Sequence, residues 1–110
     1  MKKETIGELE ELVLLTVGVL MKDAYAVTIL DELTEQAGRK IDITAIHSVL
    51  RRLEKKGFVV SEMRGATAER GGRRKRYFTL TPAGRAVLDD SMAVRTALYH
   101  RLPKLTFSTI

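Results

Sequence analysis

The sequence predicts a mostly helical domain that carries one small β-hairpin. Three observations support this. Aliphatic residues recur at three- and four-residue steps through most of the chain. One stretch, residues 58–80, changes to the β-branched and aromatic pattern of paired strands. The chain has 110 residues, which fits a single domain on a prior of about 100–200 residues per domain.

The first helix is expected over residues 5–21. Ile6, Leu9, Val13, Val17 and Leu20 form its stripe, and Leu12, Leu15 and Thr16 widen it, so burial on more than one side is expected. Thr5 and Glu8 have the spacing of a capping box. Lys22 and Asp23 connect to a second helix over residues 24–37, with Ile29, Leu30, Leu33 and Ala37 on its apolar face. Gly38 stands where a left-handed helix end is wanted. Ile41-Asp42-Ile43 reads as a short extended piece, too brief for a strand pair of its own.

A third helix is expected over residues 44–56 and ends at Gly57. Ile46, Val49, Leu50 and Leu53 face one way. At about 100° per residue, Thr44, Ser48, Arg51 and Lys55 face the other, with His47 and Arg52 at the flanks. The hairpin follows. Phe58-Val59-Val60 and Tyr77-Phe78-Thr79-Leu80 are its strands, and the glycine-rich segment between them holds Arg70, Arg73, Arg74, Lys75 and Arg76. Thr81-Pro82 is a helix start, since a hydroxyl caps and proline loses nothing at the first helical position. The last helix is expected over residues 82–102, with Val87, Leu88, Met92, Leu98, Tyr99 and Leu102 along it and Pro103 ending it.

Composition narrows the function. There is no cysteine, which excludes a disulfide scaffold, a thiol nucleophile and a thiolate zinc site. His47 and His100 are too few and too far apart in sequence for a histidine metal site. Asp89-Asp90 suits a helix dipole better than catalysis. No paired carboxylates, nucleophile–base set or phosphate loop is visible, so neither an enzyme nor a cofactor is expected. The N-terminal apolar run is interrupted by four glutamates and lacks a cleavage site, and no span of about 18 apolar residues exists. A cytoplasmic chain without a membrane partner is the expectation.

Charge is polarised along the chain. Residues 1–38 carry a net −5, residues 39–85 a net +9 and residues 86–110 a net +1. A basic middle of this kind suits one face presented to a polyanion. It also suits a merely solvated surface. The third helix has what a major groove asks for: hydroxyls for bases or phosphates, and arginine, which pairs with guanine in a bidentate way. The cations of the hairpin add nothing to a core, whereas a polyanion rewards them through counterion release. On an extended strand, Arg74 and Arg76 point opposite to Arg73 and Lys75. Arg76 shares the face of Phe78 and Leu80 and so leans to the core, which favours Arg73 and Lys75, helped by Arg70, as the phosphate contacts. His47 stands between the two faces of its helix, as a phosphate donor or as an inert edge residue.

Two stretches carry a family likeness. Ile46-His47-Ser48-Val49-Leu50-Arg51-Arg52-Leu53-Glu54-Lys55-Lys56-Gly57-Phe58-Val59 is one, and Gly71-Gly72-Arg73-Arg74-Lys75-Arg76-Tyr77-Phe78-Thr79-Leu80-Thr81-Pro82-Ala83-Gly84 is the other. With Gly7-Glu8-Leu9-Glu10-Glu11-Leu12-Val13-Leu14-Leu15 and Ala24-Tyr25, they resemble the PadR family of transcriptional regulators over residues 5–102. The resemblance implies a winged helix-turn-helix over residues 5–81 and a C-terminal dimerisation helix over 82–103 in the same compact unit. It implies a homodimer that binds operator DNA, in most members a repressor released by a small-molecule effector. The third helix would read DNA, through Thr44, His47, Ser48, Arg51, Arg52 and Lys55. The hairpin would be the wing, with Arg70, Arg73, Arg74, Lys75 and Arg76. Leu88, Met92, Leu98, Tyr99 and Leu102 would pair the protomers. Two positions depart from the family pattern: His47 stands where tyrosine is common and Ala26 where glycine is frequent. The chain has no Trp, so stacking of an aromatic ligand at the dimer interface is not supported. A protein-contact adaptor and a non-specific DNA binder are the competing readings.

Overall fold

The computed structural model describes residues 6–65, 74–104 and 107. Its elements run α1 (Glu8–Leu20), a 3₁₀ turn (Met21–Asp23), α2 (Ala26–Ala37), α3 (Ile43–Lys55), β1 (Val59–Gly65), β2 (Arg74–Leu80) and α4 (Pro82–His100). This is the mostly helical plan with one hairpin that the sequence predicts. None of the described helices is long and apolar enough to cross a membrane.

The helix ends follow local chemistry. Gly7 caps α1, and its N–H donates to Glu10 Oε1 at 2.8 Å. The box is thus shifted from the expected Thr5–Glu8 pair. Thr5 lies outside the described residues, and Glu8 instead accepts from Arg39 at 2.9 Å. α2 begins two residues later than expected because the Thr28 hydroxyl accepts from the Tyr25 N–H and donates to the Asp23 carbonyl. Gly38 closes α2 at φ 63°, a conformation that costs glycine little. The expected extended piece at residues 41–43 is a helix entry: Asp42 caps α3 by accepting from the Thr44 N–H. Thr81 caps α4 by accepting from Gly84 N–H at 3.0 Å, and Pro82 is the first helical residue.

The core lies among α1, α2 and α3 and is closed by the hairpin root and α4. Val13, Leu14, Val17, Ile29, Leu33, Ile46, Val49, Leu50 and Leu53 are buried in it, with Phe58, Val59, Phe78 and Leu88. Each such aliphatic side chain contributes about 1.5–3 kcal/mol of burial. Leu14 is fully buried although it lies off the expected stripe, because α1 is covered on several sides. Glu10, Glu11 and Thr16 are buried there too.

β1 and β2 pair antiparallel, with Val59 opposite Leu80, Ser61 opposite Phe78 and Met63 opposite Arg76. The Phe78 N–H donates to the Ala24 carbonyl at 2.8 Å, so the chain between α1 and α2 borders β2. Gly84 presses α4 onto the hairpin root: a Cβ there would stand 2.2 Å from the Phe58 carbonyl oxygen.

Candidate nucleic-acid interface

α3 has the two faces its sequence implies. Ile46, Val49, Leu50 and Leu53 are buried, while Thr44, His47, Arg51 and Lys55 are exposed and Ser48 is half-buried. The helix is therefore anchored on one side and open on the other. Arg52 flanks that open row. Its Nε lies 3.4 Å from Glu10 Oε2 and its Nη1 donates to Ser48 Oγ at 3.3 Å. Lys56 Nζ reaches the same carboxylate at 3.0 Å. Arg52 and Lys56 thus fasten the end of α3 to α1.

The Glu10 carboxyl is held below its ordinary pKa. Burial pushes it up, but the Gly7 N–H bond and the Lys56 and Arg52 cations together outweigh that.

The hairpin leans over the open side of α3. Arg76 shares a face with Phe78, as alternation predicts, but the strand has run past the core at that point and Arg76 is exposed. Its Nη1 donates to Ser61 Oγ at 3.0 Å, and that hydroxyl donates to Glu54 Oε2 at 2.7 Å. Arg76 lines a recess with His47, Leu50, Arg51, Glu54 and Phe78. The expected lean of Arg76 toward the core is corrected in this respect, while Lys75 is exposed as expected. Lys75 lies on the opposite face, its Nζ 4.8 Å from the centre of the Tyr25 ring. Tyr25 and Tyr77 meet edge to face at 5.1 Å, and the Arg64 guanidinium covers Tyr77 at 4.2 Å. This stack holds the wing root against the segment before α2. Sequence reasoning missed Tyr25 and Tyr77 as supports; Tyr77 stands out only by alternating with Phe78. Arg74 is exposed on β2, while Arg70 and Arg73 fall outside the described residues.

α4 divides along its length. Leu88 is buried in the chain's own core and Met92 is half-buried, so Leu88 anchors α4 rather than lying open to a partner. Leu98, Tyr99 and Leu102 are 58%, 71% and 60% exposed, and Val94 adds to them at 58%. These side chains form an exposed apolar stretch at the end of α4. Among the described residues, no group of three His, Asp or Glu could hold a metal ion.

Comparison with known proteins agrees with this geometry. No curated protein sequence matches the chain. Among solved structures, a transcriptional regulator from Streptococcus is 26% identical, with a TM-score of 0.67 and with 84% of this chain and 86% of that one covered. A PadR family transcription regulator from hypervirulent Clostridium difficile R20291 has a TM-score of 0.72 at 21% identity, with 86% of this chain and 93% of that one covered. Bacillus subtilis PadR, solved in complex with operator DNA, has a TM-score of 0.62 at 19% identity, and the match covers 94% of this chain but 52% of that one. The last two are likenesses of fold. The sequence profile described as "Transcriptional regulator PadR-like family" matches residues 14–90. The winged-helix arrangement and a family profile that spans most of the chain lead to one conclusion: this chain belongs to the PadR-like family of transcriptional regulators.

Proposed function

We propose that the chain is a sequence-specific DNA-binding repressor that acts in the cytoplasm as a symmetric homodimer. One observation carries the reading. The open face of α3 presents Thr44, His47, Ser48, Arg51 and Lys55, and Arg76 of the wing stands beside it in a shared recess. A helix of this kind fits a major groove about 12 Å wide. Arg51, near the centre of the face, is the base-reading residue, paired with guanine. His47, Lys55 and Arg76 grip phosphates, which fix register but carry no direct sequence information. Arg52, at the flank of the face, supports α3 through Glu10.

The exposed stretch of α4 pairs two copies. Isologous pairing buries Leu98, Tyr99 and Leu102 and sets the two α3 helices about 34 Å apart, one turn of DNA. Bacillus subtilis PadR, a fold relative, was solved with operator DNA, which supports the DNA reading. Repression, and release by a small molecule, are carried over from the family resemblance.

Selection of bound duplexes from a random pool tests it. The reading expects an inverted repeat whose half-sites are about 10 base pairs apart. Tight binding without enrichment of any sequence would instead make the chain a non-specific binder. Absence of binding at low salt would favour a protein-contact role.

A further inference from the structure

Two neighbouring glutamates of α1 are buried, and each holds a different helix. Glu10 and Glu11 are both 7% exposed. Glu10 takes Arg52 and Lys56 from α3. Glu11 accepts from the Ser91 hydroxyl of α4, and its Oε1 lies 3.1 Å from Arg95 Nη2. Successive residues of a helix are about 100° apart, so one turn of α1 is fastened to α3 on one side and to α4 on the other.

Position along α4 gives the second contact its importance. Gly84 and Leu88 seat the start of α4, and Ser91 and Arg95 follow. Among the described residues, Arg95 to Glu11 is the outermost ion pair between α4 and the rest of the chain. The exposed Leu98, Tyr99 and Leu102 lie just past it. A carboxylate taken below the surface loses hydration, a cost that an apolar residue of similar size would avoid. A charge-assisted hydrogen bond gives direction in return, whereas apolar packing does not resist sliding in the same way.

We propose that Glu11, acting through Ser91 and Arg95, is a positioning residue that sets which operator half-site spacing the dimer accepts. This rests on the dimeric DNA-binding reading above. In such a dimer each α3 stands roughly 17 Å from the two-fold axis, half of one DNA turn. A swing of the DNA-binding unit on α4 that carries α3 about 3 Å along the duplex already matches the ~3.4 Å rise of one base pair. Directional bonds at Glu11 restrain that swing. α3 itself keeps its seat, because Glu10 and the core hold it separately.

The test uses the full chain and a ladder of duplexes. Each carries the selected half-sites at the native spacing or with one or two base pairs added or removed, and a single half-site serves as reference. The native dimer is expected to lose about tenfold in affinity for one base pair of change, since DNA must deform to restore the fit. Glu11→Gln and Arg95→Gln are expected to remain dimeric in sedimentation. They should keep single half-site affinity within about twofold and flatten the spacing preference to about threefold or less. Arg95 is 61% exposed, so its replacement does not threaten the core if Glu11→Gln fails to fold. Dimeric variants that keep the native spacing preference overturn the proposal. Variants that fall apart into monomers overturn it as well, because Glu11 would then serve assembly. A native chain that is monomeric, or that shows no spacing preference, overturns the dimer reading beneath it.

Discussion

Two glycines should respond oppositely to the same change. At Gly84 an added Cβ would lie 2.2 Å from the Phe58 carbonyl oxygen and 2.9 Å from Leu80 Cδ1. Real Cβ atoms essentially never come within 3.0 Å, so α4 must move by at least 0.8 Å. The neighbour is backbone, and it also accepts the Thr81 N–H at 3.1 Å, so it cannot yield alone. Overpacking of this kind costs about 2–3 kcal/mol, partly offset by the better helix propensity of alanine, at most about 1 kcal/mol. At Gly18 the same Cβ would stand 3.5 Å from Leu80 Cδ2, an ordinary contact. Gly18→Ala should therefore gain about 0.5 kcal/mol from propensity, while Gly84→Ala loses about 1–2 kcal/mol. For a domain of this size the midpoints should rise by roughly 2 °C and fall by roughly 4–8 °C. Thermal unfolding followed by circular dichroism measures both. A Gly84→Ala chain as stable as the parent would refute the close seat of α4.

Three further expectations follow from the same geometry. Arg76→Gln should lower the slope of log affinity against log salt by about 0.9 per protomer, about 1.8 for a dimer. Lys75→Gln should lower it less, because Lys75 lies over Tyr25 on the other face; a larger drop for Lys75 would invert the facing argued above. Replacing Leu98 and Leu102 by Glu should give monomers in sedimentation at micromolar concentration, and a persistent dimer would place the interface elsewhere. Because the folded pKa of Glu10 is depressed, its ion pairs stabilise the fold above the unfolded value near 4.3 and are lost as pH falls through the folded value. Urea titrations should show the native chain about 1–2 kcal/mol more stable than Glu10→Gln at pH 7, with the gap closing as pH falls below the ordinary glutamate range. A gap independent of pH would contradict the assignment.

α3 was the most legible element because its two faces differ sharply in polarity, so periodicity alone locates it to within a residue. Gly38 and Thr81-Pro82 were equally readable, since left-handed ends and caps are local chemistry. α1 was less so. It is covered on several sides, and no single stripe marks Leu14 as fully buried. The burial of Glu10 and Glu11 depends on cations 42 to 84 residues away, which no local pattern reveals. Alternation paired Arg76 with Phe78 correctly, but it could not show where the core ends along the strand. Nor could the stripe on α4 separate Leu88, which the chain buries itself, from Leu98 and Leu102, which it leaves exposed.

Base preference of the native chain and of Arg51→Ala, measured in parallel on all single substitutions of the selected operator, decides whether the open face of α3 reads bases. Arg51 is exposed on that face beside the recess that Arg76 lines. Its loss should cost about 1–3 kcal/mol on the best site and flatten preference at one position of each half-site, where guanine is favoured. Unchanged preference at every position, with affinity lowered equally on all duplexes, would show that Arg51 grips phosphate and that α3 does not read through it.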